Sequence, residues 1–229
     1  MTQRMTLIRS PLFTSAARLD KITDLRELFD PSQPLCLEIG CGIGDFVVQL
    51  AARHPDKNFM AIDIFNQGCL KTCTRLENAG LSNVRVVRTE ARSLLLKHLP
   101  PQSLSALYIN CPDPWPKKRH RKRRLVDPEF LQLARYFLHE GGDFHFCTDF
   151  VDYGLDVAAA LNAAAGFENC LSTPYTHDLG TYPISKYMRR FLDKGQPIYY
   201  CHYRRQPGFV AAPPPPHKGF RLPWGAEPR

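Results

Sequence analysis

The sequence predicts an α/β protein built on a mostly parallel, seven-stranded sheet with helices on both faces. Three observations carry this reading. Short apolar runs rich in β-branched residues alternate with longer segments of helical period. The first of these runs opens into a glycine-rich turn, Gly40-Cys41-Gly42-Ile43-Gly44. Acidic residues then recur at or just past the ends of the first three runs, as Glu38, Asp63 and Glu90.

Strands are expected near 35–39, 59–63, 84–87, 106–110, 143–147, 167–171 and 198–203. The clearest helix is 45–53, where Phe46, Val47, Leu50 and Ala51 share one face. A second, 127–138, opens on an Asp127 cap with Pro128 in its first turn, and Gly141-Gly142 reads as its stop. Residues 1–34 are expected to be an N-terminal extension packing on the core, and 35–205 the globular domain. The stretch 206–229, with Pro213 to Pro216 in succession, reads as a flexible and dispensable tail. A chain of 229 residues can bury one sizeable core.

No stretch approaches the roughly 20 uninterrupted apolar residues that span a bilayer. Met1-Thr2-Gln3-Arg4 leads into no signal-type apolar segment, so a soluble, cytoplasmic protein is expected. The eight cysteines form no C-x-x-C pair and sit mostly in apolar runs, as reduced core thiols do. The eight histidines are scattered, and no metal site is expected. The net charge of +8 is almost entirely local: seven Lys and Arg residues lie between Lys117 and Arg124. A concentrated basic segment on an otherwise balanced chain is the footprint of a polyanion contact.

The glycine turn tells ligands apart. A dinucleotide fold places G-x-G-x-x-G against a pyrophosphate, whereas here G-x-G-x-G follows the carboxylate of Glu38. That charge suits a cationic ligand such as S-adenosylmethionine, which carries a sulfonium and an ammonium and no phosphate. Asp63, at the end of the next strand, is placed to accept from two ribose hydroxyls, and Glu90 from an adenine amino group. After the fourth strand comes Asn110-Cys111-Pro112-Asp113-Pro114-Trp115-Pro116, stiffened by three prolines and followed by the basic run. Loops at the carboxyl ends of parallel strands form the ligand crevice, so Asp113 and Trp115 are candidates for the reacting site. Trp115 offers a stacking face for a base, and the Lys/Arg run offers phosphate contacts, which reads as a nucleic-acid substrate.

At these segments the sequence resembles the tRNA (guanine-N7)-methyltransferase family of the TrmB type. The likeness runs from about Leu35 to about Tyr203, through the glycine turn, Pro112-Asp113-Pro114-Trp115-Pro116-Lys117, Arg119-His120-Arg121-Lys122-Arg123-Arg124, Thr148-Asp149 and Ser185-Lys186-Tyr187. The resemblance implies a Rossmann-like class I S-adenosylmethionine-dependent methyltransferase acting on a guanosine in the variable loop of tRNA, as a monomer or homodimer. It implies that Glu38, Gly40, Gly42, Gly44, Asp63, Glu90 and Asp113 hold the cofactor, with Asp113 the active-site acid. Lys117, Asp149, Ser185, Lys186, Tyr187 and Met188 are implied for substrate, and Arg119, His120, Arg121, Lys122, Arg123 and Arg124 for RNA. Two positions depart from the pattern: Met188 stands where the family carries Glu, and Glu90 where Asp is usual. Two alternatives stay open. An amino-methyltransferase would carry an aromatic residue in place of Asp113 in Asn110-Cys111-Pro112-Asp113, and a non-catalytic RNA-binding protein on this fold would not bind the cofactor.

Overall fold

The computed structural model describes residues 5–215. The chain divides into two compact units, one running to Pro100 and the other from Pro101 to Pro215, so the division falls inside the stretch expected as one domain.

In the first unit the elements are β1 (Phe13–Thr14), α1 (Ala16–Leu19), β2 (Leu35–Ile39), α2 (Asp45–Arg53), β3 (Asn58–Asp63), α3 (Asn66–Asn78), β4 (Val84–Arg88) and α4 (Ala91–His98). The strands lie in the order β1-β4-β3-β2, all parallel, with Leu35 opposite Asn58 and Phe59 opposite Val84. Every residue of β2 and five of the six in β3 are buried, as parallel strands covered on both faces require. That burial explains why both read in the sequence as mainly apolar runs without a polar alternation. β1 has two residues and leaves no pattern to read, yet it pairs Phe13 with Val86. Ahead of it, the backbone N–H of Thr6 donates to Asn66 Oδ1 at 2.8 Å, tying the segment to the start of α3.

The second unit holds β5 (Leu104–Asn110), α5 (Pro128–Phe137), β6 (Leu138–Thr148), α6 (Val151–Ala163), β7 (Phe167–Asn169), α7 (Lys186–Leu192) and β8 (Tyr199–Arg205). β5 and β6 are parallel, whereas β8 runs antiparallel between β6 and β7. Two expectations need correction. Gly141-Gly142 does not stop a helix. α5 passes into β6 at Leu138, and the two glycines lie inside that strand, on its stretch between Leu138 and Asp143 where the register with β5 shifts. The expected tail also begins inside the fold. Arg205 is buried and donates to Leu138 O at 2.7 Å and Phe209 O at 2.9 Å, and Gln206 N donates to Gly166 O at 3.0 Å. The Phe209 ring lies against Gly166 and under the Arg135 guanidinium. The remainder of that tail expectation, from residue 216, lies outside the described residues. Among the described residues no helix is long and apolar enough to cross a membrane.

Candidate active site

The glycine loop follows β2, and its shape is fixed from below by α3. Gly40 N and Cys41 N both donate to Ile62 O, at 2.8 and 3.0 Å, which stitches the loop's first turn to the end of β3. Gly44 caps α2 with φ +78°, and a Cβ there would lie 2.7 Å from Thr72 Cγ2. Only glycine fits that combination of left-handed backbone and close approach. Thr72 Oγ1 in turn donates to Gly42 O at 3.2 Å. Gly68 is a site-forming residue that sequence reasoning missed: a side chain there would overlap the carbonyl oxygen of Gly42. Its signal was faint, a lone glycine inside a helical pattern.

The three acids of this unit hold different positions. Glu38 is buried at 2% exposure, at the end of β2. Asp63 accepts from Gly42 N at 2.7 Å and from Phe65 N at 2.8 Å, one bond to each oxygen, so its carboxylate both shapes the glycine loop and starts the turn into α3. Glu90 caps α4, accepting from Arg92 N and Ser93 N at 2.9 Å each. Phe65, 46% exposed beside Asp63, is a second residue the sequence reading passed over. These residues fit S-adenosylmethionine. A Cβ at Gly40 or Gly42 would meet nothing within 4 Å, so the loop presents an open backbone cradle, with the carboxylates a sulfonium-ammonium ligand needs at the ends of β2 and β3.

In the second unit the loop that carries Asp113 leaves β5 through Cys111, whose φ of +45° is matched four residues on by Trp115 at +44°. Asp113 sits between these two left-handed residues and is exposed. Cys111 N donates to Cys147 O at 2.8 Å, and Tyr182 Oη donates to Asn110 Oδ1 at 2.6 Å, which anchors the strand end from which the loop departs. Asp149 follows β6. Burial pushes its carboxyl above the usual range, opposed by hydrogen bonds from its own backbone and from the Cys111 thiol. The Tyr187 hydroxyl is likewise raised, first by its partial burial and then by the fields of Asp149, Cys111 and Asp113, so these groups lie within electrostatic reach of one another.

The late motif divides. Ser185 caps α7 through Met188 N at 3.2 Å, and Ser185 N donates to Met188 Sδ at 3.5 Å. Met188 is fully buried, packed with Cys147, Ile198 and Tyr200. A thioether thus fills the capping-box position of a carboxylate, and its side chain packs into the core. Lys186 and Tyr187 are exposed.

The basic run forms a short 3-10 helix, Lys118–Arg123, and its cations split in direction. Arg121 pairs with Asp152 at 2.5 Å, and Arg124, buried, pairs with Asp156 at 2.6 Å. Both side chains are engaged by acids of α6, Arg121 at the surface and Arg124 in the interior. Lys117, Lys118, Arg119, Lys122 and Arg123 are exposed, and Arg123 lies over the Trp115 ring at 4.9 Å, with His120 edge-on to the same ring. Asp143, His145 and His202 form the one cluster of metal-ligating type among the described residues. The two imidazoles stack at 4.1 Å and 19°, so their in-plane lone pairs run side by side instead of converging on an ion. His202 Nε2 and Arg204 instead bond Asp143, knitting β6 to β8. All eight cysteines are free, and burial raises the thiols of Cys41, Cys69 and Cys147 far from the thiolate form.

Residues 32–201 match the family described as "Putative methyltransferase". The chain is 54% identical to the tRNA (guanine-N(7)-)-methyltransferase of Syntrophotalea carbinolica, over 99% of each chain. It is 51% identical to that of Geobacter metallireducens, over 89% of this chain and 97% of the relative. Among solved structures, the 16S rRNA methyltransferase KamB superposes with a TM-score of 0.58 at 15% identity, covering 90% of this chain and 98% of that one, which shows the shared class I methyltransferase fold. The chain belongs to the tRNA (guanine-N(7)-)-methyltransferase family.

Proposed function

We propose that this protein methylates N7 of a guanosine in the variable loop of tRNA, in the cytoplasm and as a monomer or homodimer. The observation that carries the reading is the Asp113 loop passing directly into an exposed basic segment, in a chain with full-length relatives named for this reaction. S-adenosylmethionine, when bound, supplies an electrophilic methyl group on a sulfonium. Glu38 and Asp63, with the backbone of Gly40, Gly42 and Gly44, are assigned to holding it, and Glu90 to its adenine end.

Guanine N7 carries an in-plane lone pair and no proton, so no general base is required before transfer. Asp113 is therefore assigned to positioning, holding an amino group so that the acceptor nitrogen lines up with the methyl carbon, where most of the rate gain arises. Asp149 is assigned to the guanine N1–H and exocyclic amino group, a donor pair adenine lacks. Lys117, Ser185, Lys186 and Tyr187 flank the base, and Arg119, His120, Lys122 and Arg123 follow the backbone phosphates. A tRNA transcript in which 7-deazaguanosine replaces guanosine tests the acceptor atom. It should take up no label from methyl-labelled cofactor while competing normally with unmodified tRNA. Uptake equal to that of the guanosine transcript would exclude N7.

A further inference from the structure

The last cation of the basic run is the least exposed. Arg124 has 5% of its side chain accessible, although it closes a segment in which seven of eight residues are Lys or Arg. Its Nη1 bonds Asp156 Oδ2 at 2.6 Å, and its Nε donates to the carbonyl oxygen of Pro114 at 2.9 Å. The guanidinium lies over the fully buried Tyr153 ring at 4.6 Å, and Tyr153 Oη accepts from Val126 N at 2.9 Å. Nη2 is enclosed and bonds nothing among the described residues, so no edge of this side chain is open to a phosphate. By contrast, Arg123 is exposed and forms no hydrogen bond or ion pair among the described residues.

The bond to Pro114 falls at a sensitive place. Its carbonyl belongs to the peptide plane that leads into Trp115, whose left-handed φ of +44° a non-glycine residue holds only when its surroundings fix it. At the other end, Cys111 at φ +45° is fixed by its N–H bond to Cys147 O. Asp113 is thus carried between two strained residues, each locked by one bond to a distant part of this unit.

We infer that Arg124 is a positioning residue that sets the conformation of the Asp113 loop from α6, and that it makes no contact with RNA. The inference rests on the reading of Asp113 as the positioning acid of methyl transfer. A planar fork is needed because Asp156 and Pro114 O lie in different directions, which a lysine ammonium cannot serve equally.

The test compares Arg124→Ala, Arg124→Lys and Arg123→Ala in tRNA titrations at several salt concentrations. Arg124→Ala should lower kcat by about 100-fold, with KM for tRNA and its salt dependence as in the parent and with little rescue by Arg124→Lys. Arg123→Ala should instead raise KM and reduce the salt slope by about one. A raised KM and flattened salt slope for Arg124→Ala, restored by Arg124→Lys, would overturn the inference. Asp156→Ala removes an exposed carboxylate and serves if Arg124→Ala does not fold; it should lower kcat several-fold at unchanged KM, and an unchanged kcat contradicts the brace. A readout independent of activity separates this from the methylation assignment. In a Trp224→Phe background Trp115 is the sole tryptophan. Arg124→Ala should raise its quenching by acrylamide, and unchanged quenching would remove the brace even if 7-methylguanosine is formed.

Discussion

The two loops assigned to the reaction, one after β2 and one after β5, reach left-handed backbone conformations by opposite means. The cofactor loop uses glycine at each such position, Gly40, Gly42 and Gly44, at little steric cost, and is held mainly by backbone bonds to the end of β3. The Asp113 loop places Cys111 and Trp115 in the same region, at a cost of roughly 1–3 kcal/mol each. It therefore depends on bonds from outside itself to stay in place, from Arg124 to Pro114 O and from Cys111 N to Cys147 O. One loop is allowed its conformation by its own glycines, with β3 and α3 supporting it, and the other is held in its conformation through Arg124 and β6.

This contrast orders the expected effects of substitution. Asp113→Ala should be the largest, lowering kcat by about 100-fold or more in single-turnover assays. Normal turnover would remove Asp113 from the reaction. Gly68→Ala strikes the glycine loop from beneath, through the Gly42 carbonyl, and should weaken S-adenosylmethionine binding by roughly tenfold or more in equilibrium dialysis. Unchanged affinity would show that the loop tolerates displacement. Among the cations, Lys122→Ala should lower the slope of log affinity for tRNA against log salt by about one, whereas Arg121→Ala should leave it unaltered because Asp152 already engages that side chain.

The smallest effect concerns Asp149. Burial raises its carboxyl above the unfolded value, so the folded chain keeps that proton to higher pH and loses stability as pH rises through the window. Asp149→Asn should therefore raise the melting temperature at neutral pH by roughly 2 °C while lowering activity on guanosine. In the parent enzyme, activity should fall on acidification with an apparent pKa above that of an ordinary carboxylate. A lower melting temperature for Asp149→Asn would show that the charge stabilises the fold instead.

The same contrast explains what was legible in the sequence. The glycine loop, its flanking strand and α2 were readable because local residues determine them: fixed glycine spacing, an apolar run and an apolar helical face. All seven expected strands are present, with β7 ending at Asn169, before Leu171. The direction of the basic side chains was not legible. A run of cations has no apolar phase to separate inward from outward, and the acids that engage Arg121 and bury Arg124 lie about thirty residues on, at Asp152 and Asp156. The burial of Met188 was not legible for a related reason. The motif marks it as a substrate position, but the Cys147, Ile198 and Tyr200 cluster that buries it is assembled only by the antiparallel return of β8. Phe209 likewise gains its place from Gly166 and Arg135, which no local composition announces.

The most direct test is to incubate the purified protein with methyl-labelled S-adenosylmethionine and unmodified tRNA, digest the RNA and identify the labelled nucleoside. The account predicts 7-methylguanosine as the labelled product, lost in Asp113→Ala. Label in any other nucleoside, or none in tRNA that is bound normally, would contradict it.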